Sequence, residues 1–464
     1  MDINVFIAVL FILQIVCFFV AKNASKKLDN QDDYFLAGRG IRFFPLMMTL
    51  IATQIGGGLI LGSAEEAYRF GWYVLLYPLG ACLGLMLLAM GLGKKMSQFQ
   101  VSTVAQLFEV VYRSVSLKKL ASILSITSLF FILTAQVIAS KKFMMSLGVD
   151  DSTLFILFWA IVILYTVLGG LKAVVATDII QATFFIVVFF IGFFYTLSAE
   201  TSSFVTIASA GIGENFDFNA SKLCGWLLMP LCFMVIEQDM GQRCFAAKNG
   251  RVVSLACGCA ALCTLLVCMI PVYYGILGKS IGIDIPEGSS VFMAVIRAST
   301  NPTITALIGC AILAAIISTA DSLINAISSN LSQDFAFKWM QRKNNVKISQ
   351  WITCGIAIFA FLVSYGFNNV VDLLILSYEL SVSCLFIPVF AALFIKRGNA
   401  LSASLAITLG ATGFVLFRIV PLEFIPREVA SLCFSFAGYR VGGYIANRKM
   451  NEILKTSQEK QLAD

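Results

Sequence analysis

Thirteen predominantly apolar stretches, most of them about 20 residues long, run through this chain. They lie at 2–21, 43–66, 71–92, 120–140, 152–169, 173–198, 222–243, 252–277, 303–331, 348–366, 370–395, 399–419 and 428–447. About 20 such residues form a helix long enough to cross the hydrocarbon core of a bilayer. Lipid offers no water to the backbone, so only helices and closed barrels span it. The expectation is an all-α membrane protein of about 13 transmembrane helices. Only Gly169-Gly170-Leu171-Lys172 separates the fifth run from the sixth, so twelve and fourteen spans stay open. Composition agrees: 59% of residues are apolar and 13% charged, against about 45–50% and about 25% in soluble domains.

The basic residues test this layout. With the N-terminus outside, 25 of the 33 Lys and Arg fall in segments on the inner side. That bias is the positive-inside pattern and places the C-terminus in the cytoplasm. The net charge of +7 is therefore a topology signal, and no nucleic-acid surface is expected. Asp2 precedes the first run and Lys22, Lys26 and Lys27 follow it, an order that suits a retained helix better than a signal peptide. The localisation expected is the plasma membrane, or the inner membrane of a bacterium.

Several classes are excluded. The chain has no histidine, so imidazole-based zinc sites and Ser-His-Asp chemistry are absent. No G-x-x-x-x-G-K-[ST] run is present and no loop is long enough for a nucleotide-binding domain. An enzyme is not expected. Most of the 13 cysteines sit in apolar runs and read as small core residues.

Four polar patches interrupt the apolar runs, and such patches are functional candidates because they cost free energy in lipid. The first is Ala52-Thr53-Gln54-Ile55-Gly56-Gly57-Gly58. Its glycines each weaken a helix by roughly 1 kcal/mol against alanine. An unwound turn there frees carbonyls, which are good oxygen ligands for sodium; close packing through small residues is the alternative. The second is Ser318-Thr319-Ala320-Asp321-Ser322 with Asn325 and Ser329. At about 100° per residue, Ser322, Asn325 and Ser329 fall within about 40° of Ser318, so one helix face is polar. Small-residue packing explains the hydroxyls but not Asp321. The third patch has Pro230 ahead of Glu237-Gln238-Asp239, and proline points to a second broken helix. Glu237 and Asp239 also fit a solvated helix end near Arg243. The broken spans are second and seventh, five apart, the pattern of an inverted-repeat transporter. The fourth is the turn Gly169-Gly170-Leu171-Lys172, followed by Thr177-Asp178 and Gln181.

Together these residues resemble the sodium/solute symporter family over about residues 32–400. Asp33-Tyr34-Phe35-Leu36-Ala37-Gly38-Arg39 is similar to the motif ahead of that family's first core helix. Gly169 to Val174, with Thr177, Asp178 and Gln181, resembles its signature, and Ser318 to Ser322 its sodium-site helix. The resemblance implies the leucine-transporter fold: two inverted five-helix repeats with broken first helices, about 43–198 and 222–395. Helices 2–21, 399–419 and 428–447 would be peripheral to this single transmembrane domain. It implies a sodium site from the carbonyls of Ala52, Ile55 and Ala315 and the hydroxyls of Ser318 and Thr319. Asp178, with Ser322, matches a further sodium position that some members use.

Within the family, Ala52 to Gly58 followed by Gly62-Ser63-Ala64-Glu65, with Gln242-Arg243 and Ser377-Tyr378-Glu379-Leu380, is similar to the pattern of high-affinity choline transporters. Those carry tryptophan where this chain has Gln54 and Glu237. An aromatic cage for a quaternary ammonium is thus replaced by an amide and an acid, which argues against choline itself. Glu237 can attract a cationic or zwitterionic amine, and Gln54 can hydrogen-bond a polar group. Gly57, Gly58, Trp226, Met229 and Phe233 complete the expected substrate set, the last three equally readable as packing. The function expected is sodium-coupled import of a small polar organic solute, with lipid, sodium and solute as partners. A solute-gated sodium channel or a transport-like sensor on the same fold is the alternative.

Overall fold

Each of the thirteen apolar runs lies on helix in the computed structural model. The structure describes all residues except 29, 147, 149–151, 200–219, 286–289, 336–345, 367–369, 421, 423–424 and 464. The longer helices, with the two halves of each broken span, are α1 (Ile3–Ala24), α2 (Phe43–Gln54), α3 (Ser63–Phe70), α4 (Leu76–Leu87), α5 (Val115–Ser146), α6 (Ser152–Ala199) and α7 (Met229–Ile236). They continue with α8 (Gln238–Ala246), α9 (Gly250–Ser280), α10 (Pro302–Asp334), α11 (Val346–Val363), α12 (Val370–Ala392), α13 (Ala400–Ile419) and α14 (Arg427–Ala463). Among the described residues the chain has no strand, only an isolated bridge between Ile41 and Ala247.

Among the described residues, eight helices are long and apolar enough to cross a membrane, or nine if the bent pair around Glu237 is one span. The expected fifth and sixth runs share α6. At 48 residues that helix is about 70 Å long, over twice a hydrocarbon core of about 30 Å. Its break falls in the glycine pair, at Gly170 (φ 53°, ψ −148°). A Cβ there would run into the backbone oxygen of Tyr34, so glycine is required for both conformation and space.

Helix starts follow from capping chemistry. Side chains of Asp2, Asn249, Asn301 and Asn399 accept backbone N–H groups that begin α1, α9, α10 and α13. Pro302 follows its cap directly, where the missing N–H costs nothing.

Two helices are broken. α2 stops at Gln54, Ile55 leaves helical geometry (φ −86°, ψ 83°), and the chain resumes as a wide turn at Gly58–Gly62 leading into α3. α7 stops at Ile236, Glu237 turns to ψ 127°, and α8 starts at Gln238 with a 44° bend. The seventh span is therefore broken, but not at proline. Pro230 lies within a helical stretch that runs on from Ala220, directly after a wide turn at Cys224–Leu228, and the helix stays unbroken past it to Ile236.

α10 forms the centre. It is buried almost throughout and packs against α1, α2, α5, α6 and α11. α13 and α14 pack on each other and on α12. The segment before α2 docks on the turn in α6. The Tyr34 hydroxyl donates to the Val167 carbonyl at 2.9 Å, and Lys172 pairs with Asp33 at 2.9 Å. This contact holds the two motifs at 33–39 and 169–174 together.

Candidate functional site

The break in α2 changes where its last carbonyls bond. In a continuous helix Ala52 and Thr53 would accept from the N–H groups of Gly56 and Gly57. Instead the Gly56 N–H goes to the Gln54 carbonyl (3.1 Å) and the Gly57 N–H to Gln136 Oε1 (2.9 Å). The freed carbonyls face α10. Ser318 donates to the Ala52 and Ala315 carbonyls, each at 2.9 Å. Thr319 is shared among the carbonyls of Thr53 (3.1 Å), Ala315 (3.2 Å) and Ala52 (3.3 Å). Two hydroxyls and three carbonyls thus converge in the buried seam between α2 and α10. The glycines permit the approach: a Cβ on Gly56 would lie 2.6 Å from Thr319 Oγ1.

One turn further along α10, the polar face continues into a charged network. Ser322 donates to the Ser318 carbonyl (2.9 Å) and meets Thr53 Oγ1 at 2.9 Å. Arg243 of α8 donates to Ser322 (2.6 Å), to Thr49 (2.9 Å) and to the Asp239 carbonyl (3.0 Å). It pairs with Asp178 of α6 at 3.4 Å, and both side chains are fully buried. Thr49 donates to the same Asp178 oxygen at 2.5 Å. Asp239 is fully buried too, which overturns the solvated-end alternative for this stretch. Asp321 is buried and accepts from Thr166 at 2.6 Å.

A cleft opens beside these oxygens. Gln54, Gly56 and Gly58 from the broken helix line it, with Tyr77, Gln136, Pro230, Met234, Glu237, Thr319, Leu374 and Tyr378. Glu237 stands at the second helix break with only 7% of its surface exposed. A second cleft shares Gly58, Tyr77, Leu374 and Tyr378 and extends past Ser63 and Glu66 to Trp226.

A profile of the sodium:solute symporter family matches residues 34–410, most of the chain. The chain belongs to the sodium:solute symporter family. Relatives include a sodium/pantothenate symporter of Haemophilus influenzae, 24% identical, with 92% of this chain and 93% of the relative covered. A high affinity choline transporter of Homo sapiens is 24% identical over 82% of this chain and 70% of its own length. In fold, the chain is similar to a solved Na+-coupled sialic acid symporter, with a TM-score of 0.78 and 18% identity. That match covers 95% of this chain and 97% of the other.

In this symporter, four of the five expected sodium ligands meet: the Ala52 and Ala315 carbonyls and the Ser318 and Thr319 hydroxyls. Ile55 sits at the break itself, and neither hydroxyl reaches its carbonyl. Asp178 and Ser322 also come together, with the Arg243 guanidinium between them. Of the expected substrate residues, Gln54, Gly58 and Glu237 line the first cleft and Trp226 the second. Gly57 faces α5 instead, where a Cβ would meet Ala139 and Gln136. Met229 and Phe233 are buried in packing, Phe233 against Tyr378 with ring centres 4.7 Å apart. Sequence reasoning missed Tyr77 and Gln136, and it placed Arg243 only at a helix end, not in the buried network. Nothing in periodicity marks Tyr77 or Gln136 as cleft residues.

Proposed function

We propose that this symporter imports a small polar organic solute by alternating access, driven by an inward sodium gradient. The sodium ion would sit in the seam between α2 and α10. The carbonyls of Ala52, Ile55 and Ala315 and the hydroxyls of Ser318 and Thr319 would hold it. What carries the reading is the pair of carbonyls freed at the helix break and met by two adjacent hydroxyls. Without the ion those hydroxyls donate to the carbonyls. With it, every oxygen can turn a lone pair to the cation, and the ion ties the broken helix to α10.

Solute would occupy the adjoining cleft at Gln54, Gly58 and Glu237, with Trp226 on the outer side. Thr319 lines the cleft and also faces the sodium oxygens, so ion and solute share a wall. Coupling is then a difference in joint affinity between outward-open and inward-open states. The two units that rock would be the expected repeats, about 43–198 and 222–395. At Asp178 and Ser322 the guanidinium supplies the positive charge, so a second sodium would have to displace Arg243. This supports one sodium per cycle. The termini would lie with the N-terminus outside and the C-terminus in the cytoplasm of a plasma or bacterial inner membrane, and the work done is transport, not catalysis.

Uptake into proteoliposomes from a solute panel tests the reading. At least one solute should accumulate faster under an inward sodium gradient than under an equal potassium gradient. Equal rates for every solute would refute symport. Sodium current without accumulation would instead indicate the channel alternative.

A further inference from the structure

We propose that the solute is an organic cation bearing no carboxylate, with its ammonium group held by Glu237. This rests on the symport reading and names the solute class of that site. Among the described residues, Glu237 is the one lining the first cleft that can carry a formal charge, and no Lys or Arg lines it. Its carboxylate is buried, and Oε2 has no hydrogen-bond partner. An uncompensated buried charge is costly and is normally paired, and in this cleft Oε2 can accept from a donor that arrives with the solute.

The surrounding charges point the same way. Asp239, two residues on, is fully buried, and so is Asp178, which pairs with Arg243, the guanidinium that also holds the Asp239 carbonyl. That guanidinium is engaged by Asp178, Thr49, Ser322 and the Asp239 backbone. The region has more acid than base, and an incoming anion would meet no free cationic side chain in the cleft.

The backbone also offers little to a solute carboxylate. A helix start can bind an anion through its free N–H groups. At the break after α2 the Gly56 and Gly57 N–H groups are already taken, by the Gln54 carbonyl and by Gln136. Tyr77 and Tyr378 supply aromatic surface and hydroxyls on the same cleft, which suits an ammonium through cation–π contact. Gln54 lines the same cleft beside Glu237.

The wild-type chain in proteoliposomes provides the test. The probes are cations (ethanolamine, putrescine, agmatine, tetramethylammonium), zwitterions (proline, glycine) and anions (pantothenate, lactate). Solute flux, tracer sodium flux and current are measured together. Charge moved minus sodium moved, per solute, should be positive for the transported probe, as a cation requires. A value of zero or below, or transport confined to zwitterions or anions, would overturn the proposal and leave symport standing. No sodium-dependent movement of any probe, with sodium itself failing to stabilise the protein against heating, would overturn both. Glu237→Gln should raise the half-saturating concentration of the transported cation at least about tenfold, with Glu237→Asp between the two. A well-folded Glu237→Gln protein within twofold of wild type would also overturn it.

Discussion

Arg243 shows how strongly a single side chain can be committed inside a membrane protein. It is fully buried, yet its three guanidinium nitrogens reach Thr49, Asp239, Ser322 and Asp178. Removing one partner of a buried pair leaves the other charge uncompensated, at about 3–5 kcal/mol. Arg243→Leu should therefore lower the thermal midpoint of the purified protein, and adding Asp178→Asn should restore a large part of the loss. A double variant as unstable as the single one would show that the pair is not the stabilising unit. This arrangement was not legible in the sequence. Arg243 counted there among the inner loop charges, and Asp239 fitted a solvated helix end. Its carboxylate partner lies 65 positions earlier, on α6, and only tertiary packing joins them. Ser318 and Thr319 were legible because adjacent hydroxyls inside an apolar run are a local anomaly. Glu237 was legible for the same reason.

At the scale of elements, two helix breaks do the organising. The first was readable, since three successive glycines are poor helix formers and the carbonyls beside them fit an ion. The structure adds that these glycines face α5, α10 and α12, where side chains would collide. The second was read from Pro230, but the helix opens at Glu237, seven residues on. Around Pro230 the helix only widens, at Cys224–Leu228, whereas Glu237 carries extended ψ and joins two helices. Pro230→Ala should accordingly leave the sodium concentration for half-maximal uptake within about twofold of wild type. A large change would move the hinge back to the proline. The division of α6 was also visible in the sequence, because Gly169-Gly170 marks a sharp turn. Its docking partner Tyr34 was not, since an aromatic residue in an exposed-looking segment carries no address.

At the scale of the whole molecule, the positive-inside bias and the broken pair of helices fit one picture, a carrier with its site near the middle of the bundle. Part of the basic count lies outside the described residues, between 336 and 345, and Arg243 belongs to the core. The remaining bias still predicts the orientation. A reporter active only in the cytoplasm should give signal when fused after residue 464 and none when fused before residue 1. The reverse pattern would invert the proposed topology. Tyr77, Gln136 and Tyr378 reach the cleft from three different helices, which is why no single stretch of sequence announced it.

The central claim is that sodium bridges α2 and α10 through Ser318 and Thr319. Sodium titration of solute uptake, or of sodium-induced thermal stabilisation, measures it directly in the Ser318→Ala, Thr319→Ala double variant. The half-saturating sodium concentration should rise at least about tenfold, equivalent to about 1.4 kcal/mol of lost binding. A well-folded double variant with the sodium dependence of the wild type would contradict the account.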